Sequence, residues 1–362
     1  MTDPESPDDA ASDDGDTAVS DDGDITDSND ATTNSNLVYH VDGELVPADE
    51  ASVSVRDRGF RYGDAAFETM RVYDGAVFEW QAHADRLRET CSTLQLDHGL
   101  SDEDLSRRID ETLAANSLDE ASVRLSITRG VQPGKLTPDP EIDPTVVVTV
   151  SPLPRGGRDG EPVYDGPATL QTVKTKRVPD AALPASAKTH NYLNGILARL
   201  ELRVSDADEA IMLDTDGHVA EGATSNLFFV RDNALRTPSL DGSVLPGITR
   251  RVVLDIAEAE GIPVEEGQYT PDEIRNADEV FLTNSTWEIR PVAVVDGIQI
   301  GDDAGGDDEG GDGVADGDGD ADGDGDADDS DTDGAAPVST AGPVTSLLSQ
   351  LFAARIETEY YD

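Results

Sequence analysis

Apolar and polar residues alternate in two short stretches, 37–47 and 66–80, and this alternation predicts two β-hairpins. Each stretch contains an Asp-Gly pair, which begins at Asp42 in the first and at Asp74 in the second. An Asp-Gly pair between alternating apolar residues is the strongest short-range hairpin signal, because both residues tolerate the positive φ of a tight turn. The folded part of the chain is therefore expected to begin with antiparallel sheet.

Two stretches with apolar residues at helical spacing follow the hairpins and predict helices at 83–94 and 102–115. Ser101 stands immediately before the second stretch, where a serine hydroxyl can cap the first turn. Runs rich in Val, Ile and Thr at 123–129 and 145–150 then predict buried strands. Together these elements predict a small α+β domain.

The second half of the chain repeats this succession of strands and helices. Its last segment has a helical apolar period and follows an acidic insert, so we assign it to the same domain as the strands before the insert. The predicted elements are strands at 168–175, 209–213, 225–230 and 279–283 and helices at 189–204, 248–260 and 344–358. The predicted fold is α/β (α+β) with two domains.

Proline, glycine and aspartate mark the domain boundaries. The segment 151–167 carries four prolines and four glycines, which is typical of an interdomain connection. Residues 1–36 and 302–333 contain no Lys or Arg and almost no large apolar residues, so neither can bury enough surface to offset its ordering entropy. The predicted organisation is a disordered acidic tail at 1–36, a small N-terminal domain at 37–150, a connection at 151–167, a larger C-terminal domain at 168–301 plus 342–362, and a disordered acidic insert at 302–341.

The charge balance limits the possible partners. The 362 residues include 77 acidic and 26 basic side chains, for a net charge of −51. This charge repels nucleic-acid phosphates and anionic lipids, so we expect neither nucleic acid nor membrane as a partner. Only four of the bases are lysines, and the acidic, arginine-rich composition resembles that of proteins from extreme halophiles, where concentrated salt screens self-repulsion.

The absence of three other signals completes the class assignment. No run of 18 apolar residues occurs, and the first residues are acidic, so neither a membrane span nor a secretion signal is predicted. Cys91 is the single cysteine, which excludes a disulfide within the chain. We therefore expect a cytoplasmic protein.

The acidic insert contains a partial match to a calcium-binding loop. Asp318, Asp320, Asp322 and Gly323 have the spacing of the first half of an EF-hand loop. The twelfth position is Asp329 instead of the bidentate glutamate, and no amphipathic helix flanks the loop. In a segment that is half aspartate such a match arises by chance, so no metal site is predicted.

Three motifs carry the candidate chemistry. Each of them taken singly has an ordinary explanation, since a lysine at the start of a helix is usually solvated and Pro-Gly is usually a turn. The motifs are Tyr62-Gly63-Asp64 with Phe67-Glu68-Thr69 and His83-x-x-Arg86, then Lys188-Thr189-His190-Asn191-Tyr192, and finally Glu221-Gly222-Ala223-Thr224-Ser225-Asn226 with Pro246-Gly247-Ile248-Thr249.

In this order and spacing the motifs resemble the class IV pyridoxal-phosphate enzymes of fold type IV. That family includes branched-chain aminotransferase, D-amino-acid aminotransferase and aminodeoxychorismate lyase. The resemblance extends over about 38–300 and resumes at Gly342. It implies a two-domain fold like that of D-amino-acid aminotransferase, pyridoxal 5'-phosphate as the cofactor, a small-molecule substrate and a homodimer.

The resemblance also implies roles for individual residues. Lys188 would bond to the cofactor aldehyde and act as the catalytic base, which requires an amine that is neutral near pH 7. The implied cofactor-binding residues are Lys188, Arg86, Ile248, Thr249 and Ser285 around the phosphate and aldehyde, Tyr192 at the phenolic oxygen and Glu221 at the pyridine nitrogen. The candidates for substrate binding are Tyr62, the Thr286 amide, Arg124, Lys135 and Arg290, and the last three could equally be members of surface ion pairs.

The motifs also bear on the reaction. Thr69 and the short spacing from Lys188 to Asn191 resemble the lyase, whereas Gly134-Lys135 stands where D-amino-acid aminotransferases carry an Arg-x-His substrate trap. The leading expectation is therefore 4-amino-4-deoxychorismate lyase, which releases pyruvate and 4-aminobenzoate for folate-type biosynthesis. The alternatives are an aminotransferase for branched-chain or other amino acids with 2-oxoglutarate and, more remotely, a non-catalytic acidic binding protein.

Overall fold

The computed structural model describes residues 36–155, 163–164, 166–301 and 341–361. The predicted acidic tail and insert, and the calcium-like match, lie outside these residues except for Asn36 and Ala341. The chain divides into two compact units, one formed by 1–166 with 189–191 and the other by 167–188 with 192–362. Mixed helices and strands confirm the predicted fold class.

The first unit is built on an antiparallel sheet of six strands in the order β2-β1-β6-β5-β3-β4. Leu87 of α2 and Ile109 of α3 belong to one buried apolar cluster with the strand residues Met70, Val123 and Val148. The elements are β1 Val38–Val41, β2 Glu44–Pro47, α1 Arg58–Tyr62, β3 Ala65–Tyr73, β4 Ala76–Val77, α2 Trp80–Thr93, α3 Asp102–Asn116, β5 Ala121–Thr128 and β6 Val146–Pro152.

Local sequence signals account for several of these elements. Asp42 and Asp74 have φ of 50° and 47°, and the glycine after each has a positive φ as well, so both predicted hairpin turns form. Ser101 caps α3 in a reciprocal capping box with Asp104, as the sequence predicted in part. The short helix α1 was not predicted, because its five residues are too few to show a period.

The second unit is built on a mixed sheet of nine strands in the order β12-β11-β10-β13-β14-β7-β8-β9, with β15 paired to β14. The pairs β7–β8, β7–β14 and β11–β12 are parallel, and the other pairs are antiparallel. The elements are β7 Ala168–Thr172, α4 Leu193–Leu202, β8 Glu209–Leu213, β9 Val219–Gly222, β10 Asn226–Arg231, β11 Ala234–Pro238, α5 Ile248–Ala259, β12 Val264–Gly267, α6 Pro271–Arg275, β13 Glu279–Asn284, β14 Glu288–Val295, β15 Ile298–Gln299 and α7 Pro343–Ile356.

The helix predicted at 189–204 starts four residues late, at Leu193. Thr189 forms a β-bridge with Ala66, and the His190 N–H donates to the Ala65 carbonyl at 3.1 Å. The backbone of these residues is thus committed to β3 and cannot join the helix. The assignment of 189–191 to the C-terminal domain is wrong for the same reason, since these three residues belong to the first unit.

The last helix, α7, is attached to β13 by a buried carboxylate. Glu279 accepts hydrogen bonds from the backbone N–H groups of Val344 and Thr345 at 2.9 and 2.7 Å, and from the Thr345 hydroxyl at 2.6 Å. The negative charge of Glu279 also stabilises the helix, because it lies at the positive end of the helix dipole. A Cβ at Gly342 would lie 2.2 Å from the Glu279 carboxyl carbon, so this close approach requires glycine. The segment after the insert is therefore part of the second unit.

No helix among the described residues is both long and apolar enough to cross a membrane.

A buried ion pair ties β3 to α2 in the first unit. The Arg86 guanidinium donates to both Glu68 oxygens at 2.9 and 2.6 Å, and His83 Nδ1 lies 2.7 Å from Glu68 Oε2. All three side chains are buried. Burial alone would raise the pKa of Glu68, but the charge and hydrogen bonds of Arg86, with help from His83, lower that pKa from 4.5 to about 2.

We expect Glu68→Gln to lower the free energy of unfolding by about 3 kcal/mol near neutral pH, because it leaves a buried guanidinium without its charge partner. The Glu68 contribution is complete above pH 4.5 and disappears as pH falls through about 2, so the difference between variant and wild type should shrink over this interval. Denaturant unfolding at constant KCl and a series of pH values measures it.

The control is Glu111→Gln, which removes an exposed i,i+4 pair with Arg107 on α3 and should change stability by less than about 0.5 kcal/mol. Equal stabilities of wild type and Glu68→Gln at neutral pH would contradict the role given to this pair.

Candidate active site

Lys188 and Tyr192 stand on either side of the segment that joins β3. The Lys188 amine donates to the Tyr192 hydroxyl at 3.0 Å and lies 5.4 Å from the centre of the tyrosine ring. Both side chains are half-buried, and both belong to the second unit. The structure thus brings together the amine and the phenol that the resemblance assigns to the cofactor aldehyde and phenolic oxygen.

Glu221 lies on β9 and is buried, with 6% of its surface exposed. Its Oε1 is 2.7 Å from Arg177 Nη2, and its Oε2 accepts from the Leu245 N–H at 2.9 Å and from Asn226 Nδ2 at 3.2 Å. Three donors from three segments therefore fix the plane of this carboxylate.

Opposing influences act on the ionisation of Glu221. Burial raises the pKa of this carboxyl above its usual value, and the negative charge of Glu209 acts in the same direction. Arg177, the Leu245 amide and Lys188 all lower the pKa without fully cancelling the effect of burial. The carboxyl thus depends on its cationic neighbours to remain ionised.

The turn after Glu221 is organised around a second carboxylate, Glu209, which is fully buried. Glu209 accepts from the backbone N–H groups of Ala223 and Thr224 at 3.2 and 3.1 Å and from the Thr224 hydroxyl at 2.7 Å. Arg199 on α4 supplies a positive charge at 3.3 Å. Glu209 therefore fixes the connection from β9 to β10, and with it the position of Glu221.

The first turn of α5 has backbone N–H groups that its N-cap residue does not cap with a side chain. Gly247 stands at the N-cap, and among the described residues no side chain caps this end of the helix. A Cβ at Gly247 would lie 2.0 Å from Asn226 Oδ1, so glycine is required there. The amides of Ile248 and Thr249 are consequently placed at an uncapped helix N-terminus, which is an arrangement that binds phosphate.

These residues of the second unit fit pyridoxal 5'-phosphate. A lysine amine beside a tyrosine hydroxyl, a buried carboxylate and an uncapped helix N-terminus match the aldehyde, phenol, pyridine nitrogen and phosphate of the cofactor. They are also linked to one another, because Glu221 binds the Leu245 amide just before α5 and Lys188 acts on the Glu221 charge. The cofactor, when bound, supplies an aldehyde for amine exchange and a ring that stabilises a carbanion.

The side chain of Asn284 holds the turn between β13 and β14. Asn284 Oδ1 accepts from the N–H groups of Thr286 and Trp287 at 2.9 and 2.6 Å. The Thr286 amide, expected to face the substrate carboxylate, is thus already paired within the turn. Ser285 lies in the same turn, half-buried, and its role toward the phosphate stays a prediction.

Arg290 is buried in the second unit. Its side chain is 2% exposed, its Nη2 lies 3.3 Å from Asp208 Oδ1, and its guanidinium carbon is 5.0 Å from the centre of the Trp287 ring. The ion pair of Arg290 is thus buried and not on the surface, and its role toward the substrate stays a prediction.

The first unit holds the other predicted residues. Arg86 lies on α2 with its guanidinium fixed by Glu68, as described above. Tyr62 ends α1, and the Arg58 guanidinium lies 4.9 Å from the centre of its ring. Lys135 has an exposed side chain, while its backbone carbonyl accepts from Arg58 Nη1 at 2.7 Å.

Asp64 joins two buried arginines near Tyr62. Its Oδ2 accepts from the Nε atoms of Arg58 and Arg129 at 2.7 and 2.8 Å. Burial raises the pKa of Asp64, but the hydrogen bonds and charges of the two arginines outweigh that effect and hold the pKa below its usual range. The same arginines bind backbone carbonyls on both sides, so Asp64 fixes the loop that carries Lys135.

Arg124 on β5 belongs to an aromatic cluster. Its guanidinium carbon lies 3.8 Å from the centre of the Phe67 ring, and Phe67 packs edge-on against His190 with ring centres 5.4 Å apart. His190 Nε2 is 3.1 Å from the Ser126 hydroxyl. Burial, together with the charge of Arg124, lowers the pKa of His190 to about 4, so this imidazole is neutral at neutral pH.

Sequence reasoning missed Arg177, Glu209 and His190. A charged residue that opens an otherwise apolar strand, as Glu209 opens β8, is a usable signal of a buried ion pair. No local pattern distinguishes Arg177 or His190, because their partners lie far away in the chain.

Comparison with known proteins shows the family of this chain. The model of the family "Amino-transferase class IV" matches residues 65–295. A protein from Methanocaldococcus jannaschii named "Putative branched-chain-amino-acid aminotransferase" is 39% identical over 259 residues, which cover 71% of this chain and 88% of that protein. The D-alanine aminotransferase of Listeria monocytogenes is 34% identical over 266 residues, with coverage of 72% and 89%.

Solved structures show the same fold. The branched-chain aminotransferase of the archaeon Thermoproteus uzoniensis, solved with norvaline, is 27% identical with a TM-score of 0.72, and the match covers 90% of this chain and 97% of that chain. A Legionella pneumophila protein named "Putative 4-amino-4-deoxychorismate lyase" is 27% identical with a TM-score of 0.63 and coverage of 69% and 89%.

The family resemblance read from the motifs is therefore confirmed by a family model that spans most of the chain and by relatives above 30% identity. The chain belongs to the class IV aminotransferases, and it is a pyridoxal-phosphate-dependent enzyme.

Proposed function

We propose that the protein is an L-amino-acid aminotransferase of the branched-chain type that uses 2-oxoglutarate as amino acceptor. The observation that carries this proposal is the relative named as a branched-chain aminotransferase, which is 39% identical over 88% of its own length. Branched-chain aminotransferases also supply structural neighbours with TM-scores of 0.72–0.74, against 0.63 for the lyase. The order of preference drawn from the motifs is thus reversed.

The D-alanine aminotransferases are similar in overall identity but differ at the substrate. Gly134-Lys135-Leu136 stands where those enzymes carry an Arg-x-His substrate trap, and Lys135 is exposed. An L-amino acid substrate is therefore preferred over a D-amino acid.

Aminodeoxychorismate lyase is the second candidate. Thr69 and the short Lys188-to-Asn191 spacing favour it, together with the similarity to the Legionella protein. Both reactions need the same cofactor and the same lysine, so only the substrate distinguishes them.

Separate residues would carry the proton, orient the amine and bind the cofactor. The Lys188 amine would carry a proton to and from the carbon that bears the substrate amino group, as a general acid and base. Tyr192, 3.0 Å from this amine, would orient it. Glu221 would hold the proton on the pyridine nitrogen, and Ile248, Thr249 and Ser285 would bind the phosphate. The phosphate role of Arg86 stays a prediction from the motifs.

Arg124 is our candidate for the carboxylate of an acidic substrate such as 2-oxoglutarate. A guanidinium stacked on an aromatic ring keeps a fixed plane, which suits a carboxylate that it can bind with two parallel hydrogen bonds. The other substrate candidates of this unit are Tyr62 and Lys135. Arg58 contacts both of them, and Asp64 holds the Arg58 guanidinium.

We further propose that the protein is a homodimer in which α4 faces a second copy of the chain. Four apolar side chains on this helix are 43–65% exposed, at the spacing i, i+3, i+4, i+7 of a single face. They are Leu193, Ile196, Leu197 and Leu200. A continuous apolar helix face marks an interaction surface, and the commonest soluble assembly is a dimer of identical chains.

The substrate assignment predicts that the purified enzyme, in multimolar KCl, forms glutamate from L-leucine and 2-oxoglutarate. D-alanine should be a poor donor, and aminodeoxychorismate should give no 4-aminobenzoate. Release of 4-aminobenzoate without amino transfer from leucine would establish the lyase activity in place of the aminotransferase.

Lys188→Ala should lose the visible absorption of the bound cofactor and reduce turnover by about 10²–10⁴-fold, because it removes the proton carrier. The matched control is Lys174→Ala, an exposed lysine that should keep both properties. Retention of the visible absorption band in Lys188→Ala would show that another lysine bonds the cofactor.

The double variant Leu197→Glu/Leu200→Glu should sediment as a monomer, because charges on the α4 face oppose its burial. Leu347→Glu, which places the same charge on an exposed leucine of α7, should sediment as the wild type does. Identical masses for the wild type and the double variant would refute this interface.

A further inference from the structure

Arg177 touches three separate parts of the second unit. Its backbone N–H donates to the Leu213 carbonyl at the end of β8 at 2.9 Å, and its Nε donates to the Ser243 carbonyl at 3.2 Å. Its Nη2 lies 2.7 Å from Glu221 Oε1. The guanidinium is thus held at both ends, and 20% of its side chain remains exposed.

Glu221 has few sources of positive charge. The hydrogen bonds to its other oxygen come from the Leu245 amide and the Asn226 side chain, which are neutral. Two neutral donors compensate the charge of a buried carboxylate less well than a cation does, because the carboxylate has lost its hydration. An adjacent cation is the stronger source of compensation for the charge of this carboxylate.

The charged groups that act on Glu221 from the surrounding elements are Arg177, Lys188 and Glu209. Glu209 opposes ionisation of Glu221 and has its own partner in Arg199. Lys188 would bond to the cofactor aldehyde, so it is committed to the cofactor and is not a dedicated partner of Glu221. Arg177 is thus the cation in direct contact with the Glu221 carboxylate.

We propose that Arg177 is a positioning residue that keeps Glu221 ionised and oriented so that Glu221 can hold the proton on the cofactor pyridine nitrogen. This inference rests on the cofactor assignment and deepens the proposed function, since it adds a residue on which the strength of cofactor binding depends. Arg177 itself touches Glu221 and not the cofactor.

The test measures the affinity of the apoenzyme for pyridoxal 5'-phosphate, followed by visible absorption, at several values from about pH 6 to about pH 9 in constant KCl. Arg177→Met removes the charge and keeps much of the length. We expect its affinity to be about tenfold below that of the wild type at the acidic end, because loss of an adjacent cation raises a carboxyl pKa by one unit or more. The gap should close as pH rises, because Glu221 then ionises unaided.

Two further variants serve as controls. Arg177→Lys retains the charge, so its affinity relative to the wild type should be independent of pH. Arg236→Gln breaks an ion pair with Glu265 whose arginine side chain is 19% exposed, almost the same as Arg177, and should leave the affinity unchanged.

A merely structural role for Arg177 would weaken the Arg177→Met variant by the same factor at every pH, and this result would overturn the inference. If Arg177→Met does not fold, a pH-dependent loss in Arg177→Lys overturns it instead. The outcome is separable from the proposed function, because amino transfer from leucine is measured independently on the wild type.

Discussion

A carboxylate removed from water needs a positive charge or a set of N–H donors beside it, and this requirement governs the buried structure of the protein. The chain has only 26 basic residues for 77 acidic ones, yet five of its buried or partly buried carboxylates have a cation or a helix N-terminus as partner. The pairs are Glu68 with Arg86, Asp64 with Arg58 and Arg129, Glu209 with Arg199, Glu221 with Arg177, and Glu279 with the first turn of α7. Several of them position residues of the candidate site.

Much of the fold could be predicted because its signals are local. The Asp-Gly turns and the cap of α3 depend on residues that are neighbours in the chain. The start of α4 could not be predicted, because the backbone of Thr189 and His190 binds a strand more than a hundred residues earlier. The strands β11 and β12 were missed as well, since β12 has only four residues and its apolar pattern is weak.

The candidate site likewise contains residues that local motifs predict and residues that only distant contacts reveal. Lys188, Tyr192, Glu221 and the start of α5 follow from contiguous motifs, and the structure places them in one unit. The groups that control them are dispersed: Arg177 lies 44 positions before Glu221, in a segment without a motif. The sequence alone indicates the candidate reactive groups. The residues that control the charge and orientation of those groups are found only from contacts in the three-dimensional structure.

The hydrogen bonds between Glu279 and the first turn of α7 affect which changes in chain length the protein can tolerate. Gly301, the last described residue before the insert, and Gly342, the N-cap of α7, both approach atoms of the segment Asp278 and Glu279. The two ends of the intervening chain are therefore fixed near one place in the second unit. Doubling the length of such a connection costs only about 0.6 kcal/mol in closure entropy. A change in length between these two anchored ends is therefore cheap in closure entropy, which recommends the connection as a place to insert a foreign domain.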